Sequence, residues 1–172
     1  MTTWEVVQPS QVNIQDENRH DGILYGAPGV AVLRGHRLLR HLPDGEFVQF
    51  LKAGKLRASG RGDVVVQQGK AVENVFFIVS GRAKAEVSAL TKGATKAVVN
   101  LLGPGDDMGL LSIVDSGPHS ASVTALEDLN AISVPLAVMQ GYLLSHPEWY
   151  RALTETALAR LRTSGVWLQA LM

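Results

Sequence analysis

The stretch Gly103-Pro104-Gly105-Asp106-Asp107-Met108-Gly109-Leu110-Leu111-Ser112-Ile113-Val114-Asp115-Ser116-Gly117-Pro118-His119-Ser120-Ala121-Ser122-Val123 decides the fold. It follows the apolar run Ala97-Val98-Val99-Asn100-Leu101-Leu102 and leads into alternating segments at 120–126 and 130–134. Its glycines therefore leave one strand and its end enters another. Between them there is room for one short helical turn. A glycine turn that opens a helical turn exposes backbone N–H groups that hold a phosphate through hydrogen bonds and the local dipole, with no catalytic group needed. A plain tight turn between strands satisfies the same glycines.

Upstream, Val64-Val65-Val66 stops at Gln68-Gly69, and Val75-Phe76-Phe77-Ile78-Val79 stops at Ser80-Gly81. Ala83, Ala85 and Val87 then alternate with polar residues before a polar loop at 91–95. Seven or eight short strands separated by glycine turns predict a mostly β domain with flanking α-helices: an antiparallel β-roll over 55–135, a jelly-roll-like double-stranded β-helix. Before it, Leu38, Leu39 and Leu42, then Asp44 as candidate N-cap, then Phe47, Phe50 and Leu51, with Gly54 as the stop, predict two short helices over 35–54. Residues 1–34 carry Gly22, Gly26, Pro28 and Gly29 without helical or strand period, and read as an extended N-terminal arm.

Beyond Pro135 the period is helical again over 136–144, breaks at His146-Pro147, and resumes as a long helix from Glu148 to the end. The C-terminal helices thus occupy 136–172 of a domain spanning 35–172. Tyr150, Ala157, Leu161, Ser164, Leu168 and Leu171 share one face at steps suited to a two-helix seam. Leu153 and Leu158 supply a second apolar face to pack on the roll. The expected assembly is a homodimer through this dimerisation helix.

Composition narrows the function. Sixteen Lys and Arg balance sixteen Asp and Glu, so no global field gathers nucleic acid or a charged membrane; the local cluster is Arg34, His36, Arg37, Arg40 and His41. With no cysteine there is neither a disulfide framework nor a thiolate metal site. His20, His36, His41, His119 and His146 show no paired metal spacing. No serine lies in a Gly-x-Ser-x-Gly elbow, and Gly103, Gly105 and Gly109 are misspaced for a dinucleotide fingerprint. Trp4, Trp149 and Trp167 read as packing residues. The start of the chain is not a signal peptide, and no apolar run spans a bilayer. The expectation is a cytoplasmic protein that is not an enzyme, needs no cofactor and does not enter a membrane.

From about Leu38 to Met172 the chain resembles the cyclic nucleotide-binding domain family, whose cAMP receptor protein-like branch is similar in length. The family cassette reads Phe-Gly-Glu-Leu-Ala-Leu, then Pro-Arg-Ala-Ala-Thr-Val. Here the matching residues are Met108-Gly109-Leu110-Leu111-Ser112-Ile113 and Pro118-His119-Ser120-Ala121-Ser122-Val123. The resemblance implies a ligand site in which Gly109 and Leu111 offer backbone N–H groups, with Ser120 touching phosphate beside Ala121. It also implies that Thr163 and Ser164 lie near a base.

Two substitutions fall on the family's ligand contacts. Leu110 stands where a glutamate accepts the ribose hydroxyl, and His119 where an arginine forks onto phosphate. A guanidinium is permanently charged and bidentate, whereas a histidine of reference pKa ~6.5 is mostly neutral at neutral pH. Each lost charge-assisted contact is worth ~1.5–3 kcal/mol, so two weaken binding by about a hundredfold or more. The site then takes a cyclic nucleotide weakly, or serves a related anion such as a cyclic dinucleotide, or binds nothing and leaves a dimeric adaptor. The basic cluster at 34–41 suits the second case if it is not simply a solvated helix face. Signalling is expected to run through a protein partner and not through DNA, because the chain stops at Met172 without a helix-turn-helix. A stand-alone module and a fragment of a longer protein both fit that ending.

Overall fold

A computed structural model describes residues 26–88 and 96–170, with side chains of the final helix described through 162. The first element corrects the extended-arm expectation for its last residues. Ala27–Gly35 is a helix, α1. Pro28 sits in its first turn, where a fixed φ and a missing N–H cost nothing, so the residue that looked like a breaker starts the helix. Leu33 anchors it, almost fully buried beside Leu38 and Leu39. The remainder of the expected arm lies outside the described residues. A single 3-10 turn, Leu39–His41, leads to α2, Asp44–Ala53. Asp44 is the first residue of that helix and Pro43 takes the cap position.

Eight strands follow: β1 Lys55–Ser59, β2 Val64–Val66, β3 Asn74–Ser80, β4 Ala83–Ser88, β5 Lys96–Leu102, β6 Asp107–Met108, β7 Ser122–Ala125 and β8 Leu129–Pro135. They form two antiparallel four-stranded sheets, ordered β1-β8-β3-β6 and β2-β7-β4-β5. The polar loop expected at 91–95 lies outside the described residues. Alternation of side chains explains why β3, covered on both faces, reads as an unbroken apolar run, Val75–Val79. Val75, Phe77 and Val79 of β3, with Ile132 and Val134 of β8, face the helices; Ile78, Leu129 and Ala131 face the interior of the roll. The register pairs Phe77 with Ile132 and Ile78 with Ala131, so both faces match across the strands. Gly81 turns the β3–β4 hairpin at φ +86°, and a Cβ there would lie 2.3 Å from the Asp128 carbonyl oxygen. No other residue fits that turn.

After β6 comes one short helical turn, α3, Ser112–Asp115. The chain leaves β8 into α4, Leu136–Ser145, breaks at His146-Pro147, and continues as α5, Glu148–Ala170. The break is fixed by side chains: His146 lies between Glu46 (Nε2 to Oε2, 2.6 Å) and Glu148 (Nδ1 to Oε1, 3.1 Å). Burial alone would lower the imidazole pKa, but the two carboxylates outweigh it and raise it. Trp149, Ala152, Leu153 and Thr156 form the buried face of α5. Leu158, expected on that face, is instead 45% exposed, because at roughly 3.6 residues per turn it falls on the side of α5 opposite Trp149. Tyr150 and Leu161, three turns apart on the expected seam, are 48% and 68% exposed. No helix among the described residues is long and apolar enough to cross a membrane.

Candidate ligand-binding site

The segment 103–123 folds against the open side of the roll and lines a cavity of about 920 Å³. Gly109, Leu111, His119, Ser120 and Ala121 all reach this cavity. Gly109 follows β6 at φ +83°, and a Cβ there would come within 3.1 Å of Val72 Cγ1, 3.3 Å of His119 Cε1 and 3.4 Å of the Asn74 carbonyl oxygen. Both its backbone conformation and its surroundings call for glycine. The turn's own bonds begin with Ser112 N–H to Gly109 O at 3.2 Å and Ile113 N–H to Leu110 O at 3.2 Å. The N–H groups of Gly109, Leu110 and Leu111 precede the first donated bond, as at any helix start. His119 is held through its backbone, with Gly69 N–H to its carbonyl at 2.8 Å and its own N–H to the Lys70 carbonyl at 2.9 Å. Burial lowers its pKa below the ordinary histidine value, so the ring is neutral at neutral pH.

Leu110 is not a lining residue. Its side chain is fully buried and packs in the core between the first sheet and the helices, while Leu111 reaches the cavity. Thr163 and Ser164 lie on the α5 backbone, and their side chains fall outside the described residues.

The basic cluster divides. Arg34 is structural: it bonds the Leu42 carbonyl at 2.6 Å, pairs with Asp44 and covers the Phe47 ring with its guanidinium 4.2 Å from the centroid. His36 turns into the core, edge-on to Phe77 at 4.9 Å. His41 is exposed. Arg37 and Arg40 reach the cavity.

A buried carboxylate, which the sequence did not single out, ties three elements together. Asp107 of β6, 8% exposed, lies 2.5 Å from Arg160 of α5 and 3.5 Å from His36 Nε2 at the end of α1. His36 Nδ1 accepts the Leu38 N–H at 3.3 Å, which leaves Nε2–H to donate to Asp107. Burial pushes the Asp107 pKa up, but the His36 hydrogen bond and the Arg160 charge win and hold it below the usual carboxylate range. One turn before Arg160, Thr156 accepts a bond from Arg37 at 3.3 Å. The cavity thus has a glycine cradle on one side and a wall made by α5 and the turn after α1.

The fold is thus a two-sheet roll with a glycine turn at one edge, closed by a helix that is ion-paired to the strand entering that turn. The chain belongs to the cyclic nucleotide-binding domain family, whose model matches residues 56–146, slightly more than half of its length. It is similar to the "CRP-like cAMP-activated global transcriptional regulator" of Mycobacterium tuberculosis, 28% identical over 105 residues, which cover 61% of this chain and 46% of that protein. The chain therefore spans less than half the length of the curated relatives it matches. Among solved structures, the catabolite activator protein of Thermus thermophilus superposes with TM-score 0.64 at 25% identity, covering 78% of this chain and 62% of that one. The regulatory subunit of a cAMP-independent protein kinase A from Trypanosoma brucei superposes with TM-score 0.66 at 17% identity, covering 83% and 50%, a likeness of fold alone. The relatives named are regulators.

Proposed function

We propose that the chain is a non-catalytic regulatory sensor of the cytoplasm. Its cavity takes a cyclic nucleotide weakly, or a related ligand such as a cyclic dinucleotide, and α5 relays occupancy to a protein partner, as a homodimer and without contacting DNA. The observation that carries this reading is the shared cavity: Gly109, Leu111 and Ser120 line it from the cassette, and Thr156 and Arg160 line it from α5. A ligand touching both sides changes the position that α5 prefers, provided it binds the two positions unequally. Weak mononucleotide binding is supported by His119, neutral through burial where a permanent charge would serve phosphate better.

A second reading, a ligand-free dimeric adaptor, is favoured by the Asp107–Arg160 pair, which already seats α5 on the roll without an anion. Thermal melting with cyclic AMP and cyclic GMP separates the two, because a ligand that binds only the folded state stabilises it by RT ln(1 + [L]/Kd). The sensor reading expects a rise in melting temperature at millimolar nucleotide and little at micromolar. No rise with any nucleotide, cyclic dinucleotides included, would leave the adaptor.

A further inference from the structure

We propose that Arg37 and Arg40 form a second anion subsite in the same cavity, and that the ligand is a nucleotide carrying two phosphate groups, as a cyclic dinucleotide does. This rests on the reading of the cavity as the ligand site and names its ligand class. The argument is one of charge. Four carboxylates line the cavity, and two are already answered by guanidinium: Asp107 by Arg160 at 2.5 Å and Glu155 by Arg151 at 3.0 Å. Asp106 and Asp115 each accept only a backbone N–H of their own turn, at 2.8 Å, among the described residues. Uncountered by a cation, they lower the attraction of the cassette side for a lone phosphate.

Arg37 and Arg40 carry the opposite surplus. Arg37 meets the neutral Thr156 hydroxyl at 3.3 Å and Arg40 meets His41 Nε2 at 3.4 Å. Neither has a carboxylate within ion-pair distance among the described residues. They stand three positions apart on a turn closed by Arg40 N–H to the His36 carbonyl at 3.0 Å, so both emerge on the side of that turn away from Leu38 and Leu39, which are buried in the core. Paired guanidiniums at a cavity wall match the planar, bidentate demand of a phosphodiester. The neutral cassette retains a backbone cradle for one phosphate, and the arginine pair supplies permanent charge for a second. A volume of about 920 Å³ stands near the upper end of the roughly 300–1,000 Å³ of small-molecule sites, room for more than a mononucleotide.

Calorimetric titration with cyclic di-AMP, cyclic di-GMP and cyclic AMP tests this, using the full chain and the double variant Arg37→Gln, Arg40→Gln. Both side chains are exposed, and the variant gives up only the part-buried bond from Arg37 to the Thr156 hydroxyl, so a melting temperature close to that of the wild type verifies its fold. The expected result is that one of the dinucleotides binds about tenfold or more tighter than cyclic AMP, the worth of one charge-assisted contact. The double variant should lower dinucleotide affinity about tenfold more than it lowers cyclic AMP affinity, which erases that advantage. If cyclic AMP binds and neither dinucleotide binds better, the subsite is wrong and the sensor reading survives. A dinucleotide advantage that persists in the double variant also refutes the subsite. Binding of none of the three removes both.

Discussion

Replacing Arg160 with Met tests whether the ion pair to Asp107 seats α5 on the roll. Methionine keeps the length of the side chain and its helix propensity but removes the guanidinium. A hydrogen bond to a charged group is worth ~1.5–3 kcal/mol. The Arg160 side chain is 37% exposed, so solvent screening reduces this to about 1–2 kcal/mol. For a domain of this size each kcal/mol moves the melting temperature by roughly 2–4 °C, giving a fall of about 2–8 °C. Asp107→Ala should cost more, about 2–4 kcal/mol, because it also leaves His36 Nε2–H buried without its acceptor. The sign of the pH dependence is fixed. A carboxyl with a lowered folded pKa contributes stability that is complete above the unfolded value of ~3.9 and is lost as pH falls through the folded value. The gap between wild type and Arg160→Met should therefore be full at neutral pH and close in acid. Urea unfolding followed by tryptophan fluorescence, with both single variants and the double, gives the coupling energy. An Arg160→Met protein as stable as wild type, with no coupling to Asp107, would refute the reasoning.

Leu110→Glu should not rebuild a ribose contact; it places an unpaired carboxylate in the core at a position 0% exposed and should cost roughly 3–5 kcal/mol. A stable Leu110→Glu protein with improved cyclic AMP affinity in the same titration would show that this side chain faces the ligand. His146→Gln should lose most stability on the acid side, because the raised histidine pKa contributes fully below the unfolded value of ~6.5 and fades as pH rises through the folded value. Melting temperatures across pH 5 to 9, as an approximate range around that value, check this, and a constant difference between variant and wild type contradicts it. Leu161→Asp, on the exposed face of α5 proposed as the dimer seam, should weaken self-association about tenfold or more by placing charge in an apolar interface; sedimentation at graded concentrations decides, and an unchanged profile or a monomeric wild type refutes the seam.

The strands were legible because two physical signals coincide. Val75–Val79 is apolar on both faces and ends at Ser80-Gly81, as a buried strand requires, and the 130–134 segment alternates up to Pro135. The break at His146-Pro147 was legible because proline cannot continue a helix. Residues 27–35 were not, since Gly29 and Pro28 together look like a loop until Leu33 has a core to enter. Nor does periodicity say whether Leu110 or Leu111 enters the core, because a single turn between strands has neither a period of two nor of 3.6. The basic cluster looked like one patch; Leu38 and Leu39 claim the core and thereby send Arg34, His36 and the pair Arg37 and Arg40 to three different places. Asp107 was missed for a simpler reason. Its partners lie 71 and 53 residues away, and only tertiary folding brings them together.

The central claim is that a phosphate-bearing nucleotide occupies the space between the cassette and α5. Amide chemical shifts of the ¹⁵N-labelled chain, recorded while cyclic AMP and then a cyclic dinucleotide are added to millimolar concentration, test it most directly. The account predicts saturable shifts at Gly109, Leu111 and Ser120, accompanied by shifts along α5 at Thr156 and Arg160, with the dinucleotide also moving Arg37 and Arg40. Amides of the cassette that stay in place while ligand is present, or shifts confined to a surface away from this cavity, would contradict it.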